Sequence, residues 1–181
     1  MTIVAAFPDL STITQVAGEA RSADFNTLRD AVEFLADPPR CAVRLTAAQT
    51  VTSGGSDHTI EWHEAVYDSH GDMTDIAGAP STLAITRPGM YQFDITTLWG
   101  DSTDAGKRGV FMYVNGAKRR GHQVPAVSPS EIGRSWLTNL AALDSVTFRV
   151  RQLAGADAAL QPLRTLVVAM WVAQPPAAGT A

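Results

Sequence analysis

The sequence predicts an all-β protein, an antiparallel jelly-roll sandwich preceded by a short N-terminal arm and one α-helix. Three observations lead there. From Met90 to Trp99 the side chains alternate, with Tyr91, Phe93, Ile95 and Trp99 on one face and Gln92, Asp94 and Thr96 on the other. A period of two belongs to a strand with one buried face, not to a helix. Val110 to Val114 then runs into Asn115-Gly116, the dipeptide that best supplies the positive φ angles of a tight hairpin turn. Finally, short strand signals separated by turn residues recur from Cys41 onward, as in a sandwich or barrel.

Residues 1–40 differ in kind from the rest. Met1 to Ala20 shows no sustained period and reads as an extended arm. Ser22 can cap a helix over about residues 22–36, with Asp24 in its first turn, where the macrodipole favours negative charge. Phe25, Leu28, Val32 and Leu35 form an apolar seam along it. Asp37-Pro38-Pro39 ends it, because proline lacks an N–H and restricts the residue before it. A lone helix of this length is marginal in water and needs a partner. That partner is either the body of its own subunit or the same helix in neighbouring subunits. The Pro-Pro boundary favours the second, a stalk or anchor.

The head is expected over residues 41–174. Its strands are Cys41 to Thr46, Thr59 to Val66, Leu83 to Thr86, Met90 to Trp99, Val110 to Val114, Ala117 to Val124, Ser135 to Leu140, Ser145 to Leu153 and Leu163 to Ala173. Residues 175–181 form a short tail. Leu166 to Ala173 is apolar at every position, whereas Ser145 to Val150 alternates. An unbroken run implies that both faces are covered, one by the core and the other by a neighbouring subunit or by loops of the same chain. The expected contact between subunits is Leu166, Val168, Met170 and Trp171, with Tyr91, Phe93 and Trp99 behind it, and Phe25, Leu28, Val32 and Leu35 in the stalk.

A length of 181 residues suits one domain with a proper core, and a net charge of −4 argues against nucleic acid as the principal partner. Lys107 and Lys118 are the only lysines, an arginine bias that fits a GC-rich genome. Cys41 is alone, so no intramolecular disulfide can form. Met1 to Asp9 has no basic n-region, and no apolar run approaches the roughly 20 residues that span a bilayer. Synthesis in a cytoplasm and no membrane insertion are the expectations.

Candidate chemistry is sparse. Gly100-Asp101-Ser102 resembles an esterase block, but no Asp-x-x-His follows; the only later histidine, His122, lacks the aspartate. Gly100 to Lys107 misses the phosphate-loop spacing and leads into a strand, so no helix N-terminus would face a phosphate. His58, Glu61, His63, Glu64, Asp68, His70, Asp72 and Asp75 are the best metal candidates, set against a plain solvated loop, since His58 and His63 point to opposite faces of a strand. No enzyme, cofactor or metal is expected. Lys118-Arg119-Arg120 forms a small basic patch, with Lys118, Arg120 and His122 on one strand face. It either protects an edge strand from pairing or contacts an anion such as an acidic surface glycan.

Two resemblances extend this reading. Gly89-Met90-Tyr91-Gln92-Phe93 resembles the Gly-x-Tyr-x-Phe signature of complement globular-head and tumour-necrosis-factor-like jelly rolls. Leu143-Asp144-Ser145-Val146 sits where that family has Gly-Asp-x-Val, with Leu143 in place of the glycine. The run Ala23 to Ala31, with Asp37-Pro38-Pro39-Arg40-Cys41 and Tyr67-Asp68-Ser69-His70-Gly71, resembles small virion proteins from phages of high-GC hosts. These resemblances imply a non-enzymatic homotrimer on the virion surface, a capsid decoration, head fibre or minor tail protein. Its N-terminal segment would bind phage capsid or tail proteins and its head a host cell-surface glycan; the alternative is a free, soluble, lectin-like trimer.

Overall fold

The computed structural model describes residues 36–71, 73–100, 106–126, 130–153 and 155–173, together with Phe25, Leu28, Arg29 and Val32. The described strands are β1 (Arg40–Arg44), β2 (Gln49–Val51), β3 (Asp57–Thr59), β4 (Glu64–Asp68), β5 (Thr82–Ala84), β6 (Gly89–Trp99), β7 (Lys107–Val114), β8 (Ala117–Pro125), β9 (Ser130–Leu140), β10 (Ser145–Gln152), β11 (Ala158–Leu160) and β12 (Leu166–Ala173). They form two antiparallel sheets. One has the order β2-β11-β6-β12-β1-β4, with β9 along the other side of β6. The second has the order β3-β10-β7-β8, with β5 also paired to β10. The two inner faces enclose one apolar core, in which Phe148 of β10 meets Phe93 of β6 at 5.8 Å between ring centroids.

Alternation along β6 is complete, with Tyr91, Phe93, Ile95 and Trp99 buried as expected. Asn115 and Gly116 take φ of 51° and 76° between β7 and β8, the left-handed pair that a tight hairpin demands. The 83–86 strand appears as β5, and the 59–66 strand divides in two. Ile60 N donates to Phe148 O (2.9 Å) in the five-stranded sheet, and Trp62 N donates to Pro80 O (2.8 Å). The chain there passes from one sheet to the other, carrying Ile60 and Trp62 into the core.

β12 narrows one expectation. Among the described residues no loop of the same chain closes over its outer side: Val167, Ala169 and Trp171 are buried, while Met170 and Val172 remain 38% and 43% exposed. Strand parity therefore places Trp171 in the core, 7% exposed, and removes it from any contact between subunits. Of the helix expected over 22–36, only Phe25, Leu28, Arg29, Val32 and Ala36 are described. They have helical backbone but are too scattered to establish a helix; Leu35, the arm and the tail lie outside the described residues. Among the described residues no helix is long and apolar enough to cross a membrane.

Leu143 holds the turn before β10 at φ 72° with 93% of its side chain exposed. A branched residue is strained there, whereas glycine is not. Leu143→Gly is expected to stabilise the fold by about 0.5–1 kcal/mol, the relief of strain less the added entropy of the unfolded chain. Chemical denaturation checks this; a destabilised variant would mean that the turn does not relax.

Candidate functional site

The outer faces of the two sheets are finished differently. On the five-stranded sheet, Phe111 and Tyr113 of β7 point away from the core yet are only 6% and 8% exposed, because cations cover them. Lys118 Nζ lies 3.8 Å from the Phe111 ring centroid, Arg151 5.1 Å from the same ring, and Arg149 4.2 Å from that of Tyr113. Asp57 ties this layer together. It accepts from Arg151 Nε at 2.6 Å and from the Tyr113 hydroxyl, and it pairs with Lys118 Nζ at 3.1 Å.

Burial alone would raise the Asp57 carboxyl, but hydrogen bonds from Arg151, Tyr113 and Lys118 and the Lys118 charge hold it down at about 2. Its ordinary value is 3.8. A depressed folded-state value means stability present above pH 3.8 and lost as pH falls towards 2, amounting to about 2 kcal/mol. Unfolding free energies measured across that window should show the slope, and Asp57→Asn should flatten it. An equal slope in the variant would assign the effect to other carboxylates.

Among the described residues the seven-stranded sheet has no such cover. Its outer row reads Arg40, Met170, Gln92 and Leu137 across β1, β12, β6 and β9, and the next reads Tyr67, Ala42, Val168, Asp94 and Ser135 from β4 to β9. Tyr67, Leu137, Met170 and Val172 are 41%, 50%, 38% and 43% exposed. The charge in the middle of this face is Asp94, whose Oδ2 accepts from Gln92 Nε2 at 2.9 Å. Val168 and Leu166, expected at a contact between subunits, lie half-buried on this face with Met170.

The basic patch is split. A bulge between Met112 and Tyr113 leaves Arg119 as the extra residue of β8, so Lys118 pairs with Tyr113 while Arg120 and His122 pair with Met112 and Val110. Directly paired residues share a face. Lys118 thus belongs to the cation layer of the outer face, and the shared face expected for Lys118, Arg120 and His122 does not exist. Arg119 and Arg120 instead line a groove of about 370 Å³ between the edge strands β8 and β9, opposite Thr138 and Asn139. Asn115 and Asp144, from two adjoining turns at one end, complete it, above Val114. His122 accepts from Arg134 Nη2; burial and that guanidinium push its imidazole below the ordinary value.

The acidic and histidine side chains around residues 58–75 serve their own loops. His63 Nδ1 accepts from the N–H of Thr46 (3.2 Å) and Ala47 (3.1 Å), and Asp68 accepts from the N–H of Gly71, Met73 and Thr74. His58 Nε2 bonds Thr52 Oγ1 at 2.9 Å, and Asp75 accepts from Gly78 N at 2.8 Å. Among the described residues no three groups are placed to share a metal. Asp72 and the loop holding Ser102 lie outside the described residues. Sequence reasoning missed the buried Arg108, which donates from Nε to Gln152 Oε1 at 3.0 Å and from Nη1 to Ser130 Oγ. Its place between Lys107 and Gly109 gives no sign of burial.

No protein-family model matches the chain, and no curated protein matches its sequence. Solved structures do match its fold. Eiger TNF from S. frugiperda superposes with a TM-score of 0.55 at 13% identity, over 79% of this chain and 99% of that one. Murine APRIL gives 0.51 at 16%, over 74% and 99%. The globular domain of zebrafish complement 1qA protein gives 0.51 at 10%, over 76% and 99%. At these identities the likeness shows the fold, a tumour-necrosis-factor and complement-head type of jelly roll. It does not bear on the phage resemblance.

Proposed function

We propose that the chain is a non-enzymatic virion structural protein of a phage. It acts as a homotrimeric surface decoration or fibre head, held to the particle by residues 1–40 and carrying its jelly roll outward for adhesion. The observation that carries the assembly is the uncovered face of the seven-stranded sheet, where Leu137, Met170 and Val172 lie open and Val168 is half-buried, while the opposite sheet brings its own cover. An open apolar sheet face is the usual mark of a contact between proteins. Three copies follow from the resemblance carried by Gly89-Met90-Tyr91-Gln92-Phe93, and the matching fold supports it. Three weak sites held together bind a repetitive surface by avidity, with no new contacts.

Attachment through the N-terminal segment rests on the resemblance of residues 23–41. It also accords with Phe25, Leu28 and Val32, which are 62%, 42% and 56% exposed and so not buried on their own sandwich. That exposure favours a stalk over the alternative, a free lectin-like trimer whose N-terminal segment caps its own head. Light scattering of the full chain should give three times the 19.2 kDa chain mass; a monomer would overturn the assembly. Mass spectrometry of purified particles of the encoding phage should find the chain, and its absence would leave the free trimer.

A further inference from the structure

We propose that the groove between β8 and β9 binds a singly charged sugar acid, a carboxylate flanked by hydroxyls. The proposal deepens the adhesive role above by naming its ligand. Its starting point is charge left uncompensated. Arg44, Lys118, Arg151 and Arg164 each face a carboxylate within 4 Å, and Arg149 lies over Tyr113. The side chains of Arg119 and Arg120, by contrast, have no ion pair, ring contact or hydrogen bond within the described structure, yet both line one concavity on an acidic chain. Guanidinium groups that are free to form paired hydrogen bonds are the preferred protein ligand for a carboxylate.

The rest of the groove selects among anions. Asn115 and Asp144 lock each other: Asp144 Oδ1 accepts from Asn115 Nδ2 at 2.7 Å, Asp144 Oδ2 from Ala141 N at 2.8 Å, and Asn115 Oδ1 from Ser145 N at 2.9 Å. This end is therefore held rigid before any ligand arrives, which lowers the entropic cost of binding. Each Asp144 oxygen keeps a lone pair for a hydroxyl donor, while its charge opposes a dianion such as phosphate. Thr138 and Asn139, across the groove, have side chains with no internal hydrogen bond among those described, and supply a hydroxyl and an amide for further ring substituents. A volume of about 370 Å³ is at the small end of ligand sites and suits one sugar ring. Protection of the β8 edge by charge accounts for cations on that strand. It does not account for two of them converging on free polar groups of the opposite sheet.

The test is a titration of the full chain with sodium glucuronate, followed by amide NMR or calorimetry, with glucose and inorganic phosphate in parallel. Saturable binding in the millimolar range is expected for glucuronate, with glucose and phosphate each weaker by about tenfold or more. R119S/R120S should lose about tenfold or more, while K118S, on the other face of the strand, should keep wild-type affinity even if it melts earlier. No saturation with glucuronate, equal binding of phosphate, or unchanged affinity in R119S/R120S would each overturn the proposal. A single sugar reads a single site, so failure here leaves the light-scattering test of assembly untouched, and a monomer that still binds would separate the two ideas.

Discussion

Phe148→Ala is expected to lower the unfolding free energy by about 3–5 kcal/mol, through lost burial and a cavity that its neighbours fill only in part. Phe148 is fully buried where the two sheets meet. Its ring lies 5.8 Å from Phe93, 6.4 Å from Trp62 in an edge-on arrangement, and 6.5 Å from Trp136 in a stacked one, measured between centroids. One side chain on β10 thus joins β6, β9 and the segment that crosses between the sheets. Domains of this size have only about 5–15 kcal/mol in hand, so the variant should sit near the edge of folding. Phe148→Leu, which keeps most of the volume, should lose less than half as much. Equilibrium denaturation measures both, and a loss under about 1 kcal/mol for alanine would mean that the core closes over the gap.

Leu137→Asp combined with Met170→Asp should turn the proposed trimer into a monomer. The two residues flank Gln92 on the open face, one on each strand neighbouring β6. Six carboxylates would then crowd one assembly, and like charges brought together at an interface cost several kcal/mol. Within a single subunit both side chains are partly in water, at 50% and 38% exposure, so the fold should change by only about 0.5–1 kcal/mol. Light scattering reads the first effect and thermal unfolding of the separated monomer the second. A trimer that survives both aspartates would shift assembly to Phe25, Leu28, Val32 and Leu35.

The strands with long, unambiguous patterns were legible in the sequence: Tyr91 to Trp99, the Asn115-Gly116 hairpin and Ser145 to Gln152 all stand where their periodicity puts them. Short or crossing pieces were not. Gln49–Val51 and Ala158–Leu160 are three residues each and pair with one another, too brief for any alternation to register. Thr59 to Val66 looked like one strand because Ile60 and Trp62 are both apolar, as crossing the core also requires. At β12 composition hid orientation. An apolar row facing outward cannot be told from one facing inward, so Trp171 was grouped with Met170 although adjacent strand residues point apart. The groove was half legible: its arginines stood out as charge, but their separation from Lys118 depends on one unpaired residue.

That residue, Arg119, gives β8 a property its composition conceals. The bulge works as a reading-frame shift for side-chain direction: before it the even-numbered Lys118 shares the outer face with Tyr113, and after it the even-numbered Arg120 and His122 share the inner face with Met112 and Val110. Removing Arg119 would take out the bulge and leave each later pairing as it is, with Arg120 still opposite Met112, because the extra residue is what the bulge absorbs. The core would scarcely register the change, because β8 is an edge strand. Length at this position is therefore a silent variable: one codon can be lost from the strand, taking one guanidinium from the groove, without turning any other side chain to a new face.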